Sequence, residues 1–361
     1  MHPPARTNEQ ASPAAARPVR PSAGGAPAAP RRAVRALATP GPWKRGPVLA
    51  VCAVLLGLLL SLHEWITDRA GLGSLVETFL PWFGLLVPPL LAGALWRRSA
   101  SAVVALLLPA VTWLSLFGGL LGDRSHPAGD TDLTVVEHNV AAGNPDPAGT
   151  ARDLAGSGAD VLALVELTPQ AVDTYEKGLA EAYPYHTVQG TVGVWSRLPL
   201  SETRPINILD AGPLGATKPA GTTWAPNRAL RTTVTTDRGP LAVYVAHLGS
   251  VRLMLRGGFW TDSRDRNARA LAEAVAAERN ERMVLLGDLN GTTDDRALDG
   301  VTSGLRSVQT EAGDGFGFTW PARFPVARID HILVRGVTAT SSRVLPATGS
   351  DHLPVAAGIG W

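Results

Sequence analysis

The sequence predicts an α+β protein, a sandwich of sheets with helices outside, preceded by three transmembrane helices. Residues 131–361 alternate short β-type apolar runs with Gly/Pro/Asp turns and a few helical stretches. Residues 47–122 hold three apolar segments. Residues 1–46 are Pro, Ala, Gly and Arg without apolar periodicity, which predicts a disordered tail unable to offset its chain entropy by burial.

That tail carries eight Arg or Lys against one acid, Glu9. The apolar segments run Pro47–Leu62, Leu75–Trp96 and Ser101–Leu121, the first somewhat short for the ~20 residues that a span requires. Only the second carries a charge, Glu77. The basic tail and Arg97-Arg98 favour the cytoplasmic side, so three spans put everything after Leu121 outside the cell. Residues 123–130 form the linker. The only cysteine, Cys52, sits in an apolar run, so there is no disulfide framework and the cysteine count leaves the compartment open. Residues 1–128 sum to about +7, which leaves about −5 of the chain's net +2 on the remainder, a sign that repels polyanions unless metal ions compensate.

In the 131–361 domain, Leu133–His138 reads as a strand ending in Asn139, and Pro147–Ser157 as a helix. Val161–Val165 reads as a strand ending in Glu166, and Thr168-Pro169 starts a helix to Leu179. Val192–Trp195 is a short strand. Ala229–Thr235 and Leu241–Ala246 form a hairpin whose second strand runs into His247. Asp262–Glu278 is the strongest helix, with Thr261 as N-cap and Ala268, Leu271 and Val275 on one side. Met283–Leu286 reads as a buried strand that breaks at Gly287 into a turn carrying Asp288 and Asn290. In extended backbone those two side chains leave on one face. An Asx-rich turn, with both side chains bonding local backbone, explains GDxN alone equally well. Ile329–Val334 is a strand containing Asp330, and Ser350-Asp351-His352 follows.

The polar residues fall at strand ends: Asn139, Glu166, His247, Asp288 with Asn290, and Asp351 with His352, while Asp330 lies inside a strand. Each alone suits a solvated or structurally satisfied residue. Six such strand positions all carrying ligand-type side chains are harder to attribute to chance.

The motifs EHNV, LALVEL, AHLG, GDLN, RIDHI and SDH occur in an order that resembles the endonuclease/exonuclease/phosphatase superfamily over residues 131–361. The resemblance implies a four-layer α/β sandwich of the DNase I-like fold and metal-assisted phosphoester cleavage. It implies Mg²⁺ or Mn²⁺ on Glu166, with Asn139 and Asp351 completing or supporting the site. His352 is then a general base or a phosphate contact oriented by Asp330. Asp288 aligns or activates water, and Asn290 and His247 stabilise or protonate phosphoryl oxygens. The sequence departs from many members in having Val165 before Glu166, and from the abasic-site nucleases in lacking a Lys two residues beyond it. His247 is closer to the DNase I and sphingomyelinase branches. Together with the three apolar segments, the chain is also similar to the VanJ-type membrane proteins linked to teicoplanin resistance.

About eleven residues separate Leu121 from Leu133, at most about 35–40 Å when extended, so lipid head groups are the nearest phosphates. The expected activity is therefore hydrolysis of a lipid-linked phosphate or pyrophosphate, such as that of a cell-wall carrier lipid. Membrane lipids are expected partners, nucleic acid is less favoured, and the oligomeric state is open. Arg228, Arg231, Arg252 and Arg256 are candidate phosphate contacts. An extracellular nuclease and a catalytically silent binding protein are the alternatives.

Overall fold

A computed structural model describes residues 41–126, 131–209, 227–254 and 258–361. Most of the expected tail, residues 1–40, and linker residues 127–130 lie outside the described residues, as does Arg256.

Fourteen strands are described: β1 Leu133–Asn139, β2 Val161–Val165, β3 Tyr185–Gln189, β4 Val192–Ser196, β5 Leu200–Pro205, β6 Ala229–Thr236, β7 Gly239–His247, β8 Arg252–Met254, β9 Gly258–Trp260, β10 Met283–Asp288, β11 Arg306–Ser307, β12 Asp330–Arg335, β13 Thr338–Val344 and β14 Val355–Gly360. Two six-stranded sheets, ordered β13-β14-β1-β2-β4-β3 and β11-β12-β10-β7-β6-β5, face one another, and β8-β9 form a separate ribbon.

Period-2 alternation builds three apolar layers. Val135, Val161, Val243, Val284 and Ile332 fill the space between the sheets. Val136, Leu162 and Leu164 point the other way, against Ala151, Leu154, Tyr175 and Leu179 of helices Pro147–Ala155 and Pro169–Leu179. On the far side Tyr244 and Leu285 meet Ala268, Leu271 and Val275 of helix Asp262–Ala276. This is the expected DNase I-like four-layer α/β sandwich.

Several local expectations differ from the structure: β12 begins at Asp330, which was expected inside a strand, and the helix expected to reach Ser157 ends at Ala155. The β10 strand continues through Gly287 to Asp288, because a side chain at Gly287 would overlap the Ala246 carbonyl and glycine lets β7 and β10 close up. The long helix ends at Ala276, and Glu278 instead pairs with Arg231, Oε2 to Nε 3.0 Å. Thr261 does not cap that helix through its side chain but donates to Asp265, 2.8 Å.

The apolar N-terminal part also differs. Ala100–Leu120 is the one described helix that is by itself long and apolar enough to cross a membrane, at 21 residues and mean hydropathy 2.1. Pro47–Ser61 has 15 residues. The second expected span is not one helix: Arg69–Thr78 and Leu80–Trp96 meet at a bend of 69°. The short helix Leu72–Thr78 lies against the sandwich because its polar residues find partners there. Glu77 is fully buried and pairs with Arg296, while Ser74 bonds Arg264 Nη2 at 2.9 Å. Trp82 stacks on Phe318 at 5.5 Å and donates to the Val326 carbonyl, 2.8 Å. Phe316 packs among Trp113 and Phe117. Linker residues 123–126 bond the sandwich too, through Arg124 N to Gly313 O and His126 N to Thr340 O.

Candidate active site

Strand register assembles the site. The parallel pair β7–β10 sets His247 beside Asp288, and the antiparallel pair β10–β12 sets Asp330 on the other side of Asp288. In the opposing sheet the parallel pair β1–β2 sets Asn139 beside Val165, so Glu166 follows at the same end. The ends of the central strands of both sheets thus converge.

Asp288 is the hub. Its Oδ2 accepts from Asn139 Nδ2 at 2.9 Å and lies 3.7 Å from His247 Nε2 and 3.9 Å from His352 Nε2. Its Oδ1 accepts from the Asn290 backbone N, 2.8 Å. The Asx turn is thus realised on Oδ1, while Oδ2 is turned to Asn139 and the two imidazoles. Asn290 does not extend the strand: its φ is +50°, a left-handed conformation that Asn tolerates, and its Nδ2 donates to the Leu248 carbonyl at 3.2 Å. The two side chains therefore do not leave an extended backbone on one face.

His352 Nδ1 lies 2.9 Å from Asp330 Oδ2, which also accepts from Thr319 Oγ1 at 2.5 Å. Ser350 holds the loop by donating to the Asn139 carbonyl, 2.6 Å, and accepting from His352 N, 3.1 Å. His247 Nε2 lies 3.4 Å from Glu166 Oε1, and Arg228 Nη2 lies 2.7 Å from each His247 ring nitrogen. Glu166 has φ +63°, a strained state for a non-glycine residue that costs about 1–2 kcal/mol. Its Oε2 accepts from the Ala142 N–H, 3.0 Å.

These surroundings set the charges. Burial first, and the Asp330 charge second, push the Asp288 carboxyl up to about 7, against the pull of His352 and the bonds from Asn139 and Asn290. Burial opposes a charged His352, but the adjacent Asp330 outweighs it and raises the imidazole to about 10. Burial, reinforced by Arg228 and His352, holds His247 well below its usual range. At neutral pH His352 is accordingly a cation, His247 is neutral and Asp288 is poised to take a proton.

Glu166, Asp288, Asp351, Asn290 and His352 share one cleft of about 510 Å³. Asp288, Asp330 and His352 each bring a potential ligand atom within 4.8 Å of the others, so this cluster could hold a metal ion. However, His352 Nδ1 and Asp330 are spent on one another and on Thr319. The carboxylates of Glu166 and Asp351 are the cleft's other acceptor-only groups, and an oxygen donor set of this kind fits Mg²⁺ or Mn²⁺. Both ends of the Asn139 side chain are engaged, Oδ1 by the Ala141 N–H and Nδ2 by Asp288.

The Endonuclease/Exonuclease/phosphatase family model matches residues 136–352. The chain belongs to this family. Solved structures similar to it include a functionally unknown conserved protein from Enterococcus faecalis, with 15% identity, TM-score 0.51, and 63% of this chain and 99% of that chain covered. D. rerio TDP2 complexed with single-strand DNA product has 20% identity, TM-score 0.51, and the same shares covered. A Staphylococcus aureus beta toxin mutant with bound magnesium ions has 17% identity, TM-score 0.50, and again 63% and 99% covered. At these identities the likeness concerns the fold. A comparison with the curated proteins finds no match.

Within this family fold, Asn139, Glu166, His247, Asp288, Asn290, Asp330 and His352 come together, and Asp351 lines the same cleft. Of the candidate arginines, Arg228 reaches the site. Arg231 does not, being bound to Glu278 and Glu202, and Arg252 lies exposed on β8. Thr319 and Ser350 escaped sequence reasoning, since single hydroxyls in loops carry no pattern. Glu137 escaped it too. It is fully buried, neither carboxylate oxygen has a hydrogen-bond partner, and burial with the Asp330 and Asp288 charges raises its pKa well above the usual range. The available signal was an acid directly after the run Leu133–Val136, within the same strand.

Proposed function

We propose that this protein is a membrane-anchored, outward-facing, metal-dependent phosphohydrolase acting on a lipid-linked phosphoester or pyrophosphate. The observation that carries the chemistry is Asp288 Oδ2, held by Asn139 and flanked by the Nε2 atoms of His247 and His352. Asp288 accepts the proton of the attacking water. The His352 imidazolium, fixed by Asp330, faces the phosphoryl charge, and the neutral His247 offers a hydrogen bond to a phosphoryl oxygen. Asn290 holds the turn that carries Asp288. Glu166 and Asp351, with Asn139 supporting them through the remaining lone pair of Oδ1, would hold Mg²⁺ or Mn²⁺, and such an ion would supply charge neutralisation on the phosphoryl oxygens.

The membrane part of this reading is supported by helix Ala100–Leu120, which is mostly unburied and exposes Leu107 and Val111, and by the exposed Leu55 on helix Pro47–Ser61. The basic tail and Arg97-Arg98 favour a cytoplasmic N-terminus, and the membrane segments on this reading are Pro47–Ser61, Leu80–Trp96 and Ala100–Leu120. A cell-wall carrier lipid is the substrate that accords with the resemblance to VanJ-type resistance proteins. The extracellular nuclease is the second reading, favoured by the family itself.

Purified full-length protein with Mg²⁺ or Mn²⁺ is to be offered a lipid pyrophosphate, a phosphodiester lipid and DNA side by side. Phosphate release from lipid without DNA cleavage is expected, and DNA cleavage alone would overturn the reading. A reporter fused after Trp361 is expected to be active only outside the cell.

Two further results are expected. The logarithm of kcat/KM should rise with pH as Asp288 ionises around pH 7 and fall as His352 loses its proton around pH 10. Asp330→Asn removes the anion that raises His352, so the alkaline limb should move to lower pH. Millimolar Mg²⁺ or Mn²⁺ should raise the Tm of the wild-type protein, by about 2.7 kcal/mol of stabilisation at a hundredfold excess over Kd. Glu166→Gln should lose most of that shift, and an equal shift in both proteins would remove Glu166 from the metal site.

A further inference from the structure

We propose that the segment leading into the membrane forms the wall of the active-site cleft that receives the apolar chain of the substrate, with Leu75 and Phe79 determining specificity for long-chain amphiphiles. The proposal rests on the phosphohydrolase reading for the head group but concerns the opposite end of the cleft.

The cleft is continuous from the carboxylates of Glu166 and Asp288 to an apolar end built by Leu75, Phe79, Leu253, Phe259 and Trp320. Leu75 and Phe79 come from the N-terminal segment, outside the region matched by the family model. Helical spacing explains how one short helix serves two purposes. Ser74 and Glu77 turn into the sandwich, whereas Leu75 and Phe79, four apart, line the cleft together with Thr78.

The inward face is firmly held. Ser74 Oγ accepts from Arg264 Nη2 at 2.9 Å, and both Glu77 oxygens accept from Arg296 Nε, at 3.0 and 3.2 Å. Upstream, Gly71 adopts φ +70° and approaches β9 so closely that a Cβ would overlap the Phe259 carbonyl. Downstream, the chain passes through the Trp82 anchor on Val326 directly into the apolar run that ends at Trp96. The apolar end of the cleft therefore adjoins the apolar helices.

Around that end Leu72, Leu253 and Met254 are 50%, 81% and 49% exposed, an apolar rim suited to the surface of a bilayer. Acceptor oxygens and imidazoles at one end, and an open apolar wall at the other, match a phosphorylated amphiphile and not a wholly hydrophilic phosphoester.

Binding of non-hydrolysable butyl and dodecyl phosphonates to the full-length protein, with Mg²⁺ and one fixed detergent, tests the proposal by calorimetry. Fully buried methylenes are each worth about fourfold in affinity, so the wild type should prefer the dodecyl compound by at least about a hundredfold. Leu75→Ser with Phe79→Ser should weaken dodecyl binding about tenfold or more and leave butyl binding unchanged. Leu253→Ser changes an exposed residue, so it should fold normally and weaken dodecyl binding in the same selective way. No chain-length preference in the wild type, or equal losses for both ligands, would overturn the proposal. Hydrolysis is assayed separately: chain-length preference without any phosphoester cleavage would support the apolar wall and count against the phosphohydrolase reading.

Discussion

His352→Ala is expected to lower kcat/KM by about 10²–10⁴, the usual contribution of a positioned proton-transfer or charge-stabilising group. His352 Nε2 faces Asp288 Oδ2 at 3.9 Å while Nδ1 is locked 2.9 Å from Asp330 Oδ2, so the imidazolium is already aimed where phosphoryl charge develops. Its removal deletes the cation and leaves the Asp330 and Asp288 carboxylates facing one another without it. Steady-state rates on the preferred phosphoester, with the melting temperature as a control for folding, check the result. Activity equal to wild type would end the catalytic assignment of this whole cluster.

Asp295→Ala is expected to produce the largest loss of stability, about 3–5 kcal/mol, because it removes the fully buried one of the two carboxylates that hold the Arg264 guanidinium, leaving only Asp265. Arg264 and Asp295 are both fully buried, with Nη1 2.6 Å from Oδ2. Asp295 Oδ1 also accepts from Ser74 Oγ at 3.3 Å and from the Ala297 N–H at 3.0 Å. Arg264 itself reaches the Asn290 carbonyl at 3.3 Å, so the same substitution loosens the turn that carries Asp288. For a domain of this size the loss corresponds to roughly 6–20 °C in Tm, measurable by calorimetry or circular dichroism. Asp237→Ala, at an exposed hairpin position, should stay within about 0.5 kcal/mol of wild type. A similar Tm for the two variants would show that the Arg264–Asp295 pair is dispensable.

Much of the sandwich was legible because its central strands are buried. Val161–Val165 and Met283–Leu286 are uniformly apolar, and their shortness between turn residues favours a buried strand over a buried helix. The edge strands were not legible. Tyr185–Gln189 and Thr338–Val344 are largely polar, and they become strands because β4 and β14 offer them hydrogen bonds. Arg264 was invisible for the same kind of reason. On a helix rich in charges nothing distinguishes the one that is buried by a partner 31 residues away.

The sequence by itself determined the family fold, the ligand-type residues at the strand ends, and an apolar N-terminal region, since each is a local pattern of burial or motif. Only the tertiary structure decided how those residues share charge. Asp288 is raised by burial and then by Asp330, and His352 is a cation because β12 brings Asp330 beside it, a pairing that depends on sheet register. Only the tertiary structure, likewise, broke the second apolar segment at its bend and turned Leu72–Thr78 onto the sandwich. Glu77 reads in sequence as a charge at the start of a span. Its partner Arg296 lies more than two hundred residues away, and a buried carboxylate is stable only where such a partner meets it.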